Sequence, residues 1–223
     1  MIMCVWQRPE RLTRTLELLS SQTVPCRLHL WLNNAPLAPQ VKDIITTAPL
    51  PVTLTVSETN IGGAGRFHLA GSLGAEHVVF IDDDQEMQPD SIQTLWEQRG
   101  ARRIASQWAW RLLTADSYWQ RERAGHDQTA DYCGTGGMVA DASIFSHPSL
   151  WQCPPEFWWI EDLWLSYVAT DLGWQLVGSA AQFEMISDGR DQWLLPDASG
   201  EKDRFLRHLV ARGWHLPASH QWS

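Results

Sequence analysis

His77-Val78-Val79-Phe80-Ile81-Asp82-Asp83-Asp84 is the stretch on which the fold turns. A short apolar run closed by stacked carboxylates reads as a buried strand that carries hard oxygen ligands to the carboxyl edge of a sheet, where open α/β folds bind their ligands. Such a cluster suits a divalent cation carrying a diphosphate. Standing alone, three aspartates are also what a solvated acidic turn looks like, because charge runs usually face water.

Outward from this stretch, strand and helix signals alternate through the first hundred residues, which predicts βαβ units and an α/β fold with a mostly parallel sheet flanked by helices. Met1 to Trp6 reads as a first strand. Pro9 opens a helix whose stripe is Leu12, Leu16 and Leu19, running to about Ser21. Arg27 to Leu32 is a second strand, ending at Asn33-Asn34, and a weaker helix follows around Gln40 to Thr47. Val52 to Val56 is a third strand, halted by Ser57-Glu58-Thr59-Asn60. A glycine-rich turn then leads into a helix through Phe67, Leu69, Ala70 and Leu73. Pro89 opens the helix carrying Ile92, Leu95 and Trp96. In the less regular second half, Arg103 to Trp110 reads as a strand and the polar Thr114 to Ala130 as a loop or lid. Ile160 to Leu172 has helical periodicity, Leu176 to Phe183 is a late strand, and Lys202 to Arg212 is a terminal helix.

The chain has 223 residues, which predicts a single domain (1–223) with a core that needs no staples. Its four cysteines, Cys4, Cys26, Cys133 and Cys153, show no C-x-x-C or zinc spacing, so reduced thiols in a cytoplasmic setting are expected. No stretch is apolar for long enough to span a membrane. A formal net charge of −9 repels nucleic acid, and no basic stripe is present to track phosphates. The 14 tryptophans can fill a core or offer flat faces to sugars.

Four features fall at strand ends: Arg8 after the first strand, Asn33-Asn34 after the second, Asn60 after the third and the aspartates after the fourth. In a parallel sheet all share one edge. An amide offers the donor and acceptor that a nucleobase edge needs, and a carboxylate accepts from ribose hydroxyls. Each asparagine alone is better explained as a turn residue. Gly62-Gly63-Ala64-Gly65 has neither Rossmann nor Walker spacing, yet it would turn the chain tightly into a helix whose N-terminus faces the ligand edge, with Arg66 near the phosphates.

Asn60-Ile61-Gly62-Gly63-Ala64-Gly65, then Val79-Phe80-Ile81-Asp82-Asp83-Asp84 with Pro89-Asp90 beyond, resembles the family 2 glycosyltransferases of the GT-A (Rossmann-like) fold, galactofuranosyl- and rhamnosyltransferase-like members above all. Arg8-Pro9-Glu10-Arg11-Leu12 and Asn33-Asn34 match the same family. The similarity covers roughly residues 1–190, dividing into a nucleotide-binding half (1–100) and an acceptor or catalytic half (101–190), with a C-terminal helical segment (191–223). It implies transfer of a sugar from a nucleotide-diphosphate sugar, a UDP-sugar above all, to a glycan or other hydroxyl acceptor, with Mn2+ or Mg2+ as cofactor. Carried over by position, Asp82 would hold the ribose and join Asp84 at the metal, and Asp83 would face the sugar or support the other two. Arg8, Asn34 and Asn60 would contact the nucleoside. Gly63 and Arg66 would lie at the nucleotide, and Gly136 and Gly137 of Gly134-Thr135-Gly136-Gly137 would line the donor sugar.

Glu161-Asp162, after Phe157-Trp158-Trp159, resembles the acidic pair that supplies the family's general base. An inverting transfer needs one carboxylate to take the acceptor's proton. Asp162 is the first choice, Glu161 the second, and Trp158 and Trp159 would pack beneath the sugar or else fill the core. Two acids at a helix start also serve simply to complement its dipole. Many relatives carry a metal-binding histidine some two dozen residues after the base. Here Ala180 to Arg190 has none; Glu184, Ser187, Asp188 or Asp191 could take its place, Asp188 and Glu184 first. The missing histidine and the tryptophan excess keep open a non-catalytic sugar-binding protein. A sugar nucleotidyltransferase is the other alternative, set back by Gln7-Arg8-Pro9-Glu10 where that class has a glycine-rich loop.

Overall fold

The computed structural model describes residues 1–187 and 198–218. Its strands are β1 (Ile2–Val5), β2 (Leu28–Leu32), β3 (Val52–Val56), β4 (His77–Ile81), β5 (Gln85–Met87), β6 (Arg103–Ser106), β7 (Ala109–Leu112), β8 (Arg121–Arg123), β9 (Tyr132–Cys133), β10 (Met138–Asp141), β11 (Gln175–Gly178) and β12 (Phe183–Met185). The helices are α1 (Leu12–Ser20), α2 (Ala38–Thr46), α3 (Ala64–Ser72), α4 (Ser91–Glu97), α5 (Glu161–Asp171) and α6 (Ala198–Ala211). The main sheet has seven strands in the order β11-β6-β10-β4-β1-β2-β3. All pairings in it are parallel except those of β10, which runs against both β4 and β6. The expected mixed α/β architecture with a mostly parallel sheet is therefore what the chain forms.

β4 lies inside this sheet, and the period of two sends its side chains to both faces. Val78 and Phe80 join Ile2, Ile104 and Met138 on one face, beneath Phe67 of α3, Leu163 of α5 and Phe205 of α6. Val79 and Ile81 join Met3, Leu30 and Val139 on the other, beneath Leu16 of α1, Val41 of α2 and Leu95 of α4. Both faces are covered, which is why the run reads as continuously apolar. Phe80 and Ile81 are fully buried, and each contributes about 1.5–3 kcal/mol through its removal from water.

Three expected elements divide. Arg103 to Trp110 is two strands, because the chain leaves the main sheet at Gln107: the Ser106 hydroxyl accepts from Trp108 N at 3.0 Å and donates to the Gly134 carbonyl at 2.7 Å, turning the backbone into β7. The polar Thr114–Ala130 segment contains β8, which pairs with β7 in a separate three-stranded sheet, β8-β7-β9. Leu176 to Phe183 splits into β11 and β12. Gly178 ends β11 where the chain passes so close to the Gly125 carbonyl that a Cβ there would sit 2.1 Å from it. β12 then pairs antiparallel with β5, just past the aspartates. Among the described residues no helix is long and apolar enough to cross a membrane.

Candidate active site

The carboxyl ends of β1, β2 and β4 and the loop after β3 meet at one edge of the sheet, and the N-terminus of α5 closes over them. The resulting cleft, about 550 Å³, is lined by Arg8, Asn60, Gly63, Arg66, Asp82, Asp83, Asp84, Trp159, Glu161 and Asp162 among others. Ten residues singled out by the sequence, scattered over more than 150 positions, thus share one wall system.

The aspartates do not stand in open water. Arg66 Nη1 donates to Asp82 Oδ1 at 2.5 Å and to the Thr135 hydroxyl at 2.9 Å. Arg8 Nη1 lies 3.3 Å from Asp84 Oδ2 and 3.6 Å from Asp83 Oδ1. Both arginines are buried, and in that setting charge-assisted bonds of this kind are stronger than neutral ones. Burial pushes Asp83 up to about 6, with Arg8 pulling the other way. Gly136 packs on the same cluster: a Cβ there would lie 2.4 Å from Asp82 Oδ2. Gly137 follows it and ties to β4 through its N–H on the Phe80 carbonyl at 3.0 Å.

The amides are used internally. Asn33, and not Asn34, reaches the cleft wall: its Nδ2 donates to the Gly62 carbonyl at 2.8 Å, and its Oδ1 accepts from Trp31 Nε1 at 2.9 Å and Ile61 N at 3.2 Å. Asn34 lies outside the wall, donating to the Trp6 carbonyl at 3.2 Å. Asn60 accepts from Gly62 N at 2.9 Å, the local turn bond typical of its type. These bonds clamp the glycine turn against β2.

At the opposite wall, the Glu161 carboxyl lies where a side chain on Gly63 would be. A Cβ on Gly63 would meet Glu161 Oε1 at 1.4 Å, so this close approach needs glycine. Burial, and then the Asp162 charge, push Glu161 up to about 8, so it keeps its proton at neutral pH. Asp162 accepts a short hydrogen bond from the Tyr132 hydroxyl and a bond from Leu163 N at 2.8 Å. Tyr132 was not legible as a site residue, since it lies 30 positions from its partner and stands just ahead of the Gly134-Thr135-Gly136-Gly137 turn without belonging to it. Thr135 of the glycine-rich turn and the exposed ring of Trp158 line the cleft as well, and so do Met185, Lys202 and the exposed ring of Trp6, which carried no signal in the sequence. Cys4 is there too, but burial pushes its thiol up to about 11, so it is no nucleophile at neutral pH.

The expected metal ligands divide. Asp82 and Asp84 face the cleft. Glu184 does not: Met185, its neighbour on β12, lines the cleft, and alternation turns Glu184 to the other side, opposite Glu86 of β5. Asp188 and Asp191 lie outside the described residues. Among the described residues no three His, Cys, Asp or Glu side chains are placed together to hold an ion. One or two carboxylates plus substrate phosphates are a common way to hold Mg2+, so this donor set fits a cation that arrives with a diphosphate.

Solved structures share this architecture. GalNAc-T7, crystallised with UDP, GalNAc and Mn2+, aligns with a TM-score of 0.65 at 12% identity over 83% of this chain and 43% of its own. The fold is GT-A. TarS of S. aureus aligns with a TM-score of 0.63 at 13% identity over 98% of this chain and 40% of its own. Its 1–349 fragment with UDP-GlcNAc gives 0.64 at 13% identity, over 98% and 68%. The chain thus spans about two fifths of the length of GalNAc-T7 and of TarS. No protein-family model matches the sequence, and no curated protein matches it.

Proposed function

We propose that this protein is a glycosyltransferase that moves a sugar from a nucleotide-diphosphate sugar, UDP-linked, to an acceptor hydroxyl with inversion. The observation that carries this reading is the meeting, in one cleft of a GT-A fold, of the aspartates of β4 and their arginines with the acidic pair opening α5. Support comes from the solved neighbours, crystallised with UDP or UDP-GlcNAc.

In this reading the flat, exposed faces of Trp6 and Trp158 hold the nucleobase and the sugar, Asp82 the ribose, and Arg8 and Arg66 the charge that the diphosphate gathers as it leaves. Asp162 takes the acceptor proton. Tyr132 and the Leu163 N–H orient its carboxylate and leave lone pairs for the incoming hydroxyl. Glu161, protonated at neutral pH, acts as a hydrogen-bond donor and not as the base. Asp84 with Asp82 would hold Mn2+ or Mg2+, which when bound would neutralise part of the diphosphate charge.

The test is a thermal-shift screen of UDP and UDP-sugars with and without Mn2+, followed by an assay for UDP release. A donor at 100 times its Kd contributes about 2.7 kcal/mol, a rise of roughly 5–10 °C in Tm for a chain of this size. EDTA should remove most of the turnover and added Mn2+ restore it. Turnover indifferent to EDTA would strike the metal from the reading, and a Tm unmoved by every nucleotide sugar would strike the donor.

A further inference from the structure

One face of the small sheet β8-β7-β9 carries alternating rings and cations. Trp110 of β7 stands opposite Arg123 of β8 and Tyr132 of β9, which the pleat sets on the same side as Trp108 and Arg121. The Arg121 guanidinium lies 4.2 Å from the Trp110 ring centre and 4.0 Å from that of Tyr118. Arg123 lies 4.1 Å from Trp108 and 4.9 Å from Trp110. Lys202 adds a third cation, 4.9 Å from Tyr118.

This face differs from its reverse. There, Arg111 is neutralised by Glu122 at 3.2 Å. Here, among the described residues, neither Arg121 nor Arg123 has a carboxylate within ion-pairing distance, although the chain has 26 acids to 17 bases. Arg121 Nη1 is moreover buried without a hydrogen-bond partner, which folded proteins rarely leave uncompensated. Each cation raises the cost of the other, and burial followed by the Arg121 charge lowers Arg123 from its ordinary pKa.

The face also leads to the reacting centre. Tyr118 donates to the Tyr132 hydroxyl at 3.2 Å, Tyr132 donates to Asp162, and Lys202 lines the cleft. The exposed ring of Trp119 lies beside Lys202, 5.6 Å from its ammonium.

We infer that this face is a subsite for an anionic carbohydrate, whose sugar rings stack on Trp108 and Trp119 and whose carboxylate, phosphate or sulfate groups meet Arg121, Arg123 and Lys202. Naming it the acceptor side rests on the transferase reading; the binding itself does not.

Calorimetry on the full chain, with oligogalacturonate, a phosphorylated mannan oligosaccharide, a neutral mannan oligosaccharide and a DNA oligonucleotide of matched charge, tests it. The charged sugars should bind at least tenfold tighter than the neutral one and weaken steeply between 50 and 500 mM salt, as screening requires. Which of the two binds tighter identifies the anion. The double variant Arg121→Gln/Arg123→Gln should lose tenfold or more for the charged sugars, with the UDP-sugar thermal shift kept, while Arg121→Lys/Arg123→Lys should recover most of the loss. Equal binding of charged and neutral sugars, no binding of either charged sugar, or an unaffected Gln variant would overturn the subsite. DNA binding as tightly as the sugars would overturn its carbohydrate character. Loss of the UDP-sugar shift in the wild type, with charged-sugar binding intact, would sink the transferase reading and spare the subsite.

Discussion

Glu161→Gln should make the protein more stable, and increasingly so as pH rises. Burial and the Asp162 charge hold this carboxyl at about 8, where an ordinary glutamate stands at 4.5. The folded chain therefore binds a proton over a pH range in which the unfolded chain has released it. Stability that this proton supplies is complete below about 4.5 and lost as pH climbs through about 8. At about 1.36 kcal/mol per pH unit the gap sets a ceiling of roughly 5 kcal/mol, which water entering the cleft reduces to a few. Glutamine imitates the protonated acid and cannot ionise. The Tm difference between variant and wild type should be near zero at pH 4.5 and reach roughly 5–15 °C by pH 8.5. Scanning calorimetry at half-unit steps measures it, and taking the difference between the two chains cancels Asp83, whose own raised value makes stability fall between its ordinary range and about 6. A difference that stays flat from pH 4.5 to 8.5 would refute the buried, charge-crowded environment assigned to Glu161.

Two further outcomes follow from the same wall. Gly63→Ala drives a methyl into the Glu161 carboxyl and should cost about 1–3 kcal/mol, as overpacking does; denaturant titration in a Glu161→Ala background should show the cost nearly gone, since the two sites share one space. Asp162→Asn should leave UDP-sugar binding in the thermal-shift assay while cutting transfer by a factor of about 100 or more, and wild-type transfer in this variant would move the base elsewhere.

Much of the site was legible because its signals are local. The aspartates adjoin the run that forms β4, Arg66 stands in the first turn of the helix that the glycines open, and Glu161-Asp162 begins the helix that follows Phe157-Trp158-Trp159. Where each side chain bonds was not legible. Asn60 and Asn34 read as ligand-facing amides, yet both are engaged with nearby backbone. Glu184 read as a metal ligand, and one step of strand register turns it away. β8 escaped because Arg121-Glu122-Arg123 has no apolar alternation; aromatic rings from β7 and the Tyr118 loop make a strand of it.

The order of strands and helices, and the parallel sheet they imply, followed from the sequence by itself, because apolar periodicity is a property of neighbouring residues that burial on two faces imposes. The tertiary structure alone decided that Arg8 and Arg66 hold the aspartates, that Tyr132 holds Asp162, and that Gly63 makes room for Glu161. Those pairs lie 16 to 98 positions apart. Their distances depend on how the layers pack, and no local pattern in the chain encodes that.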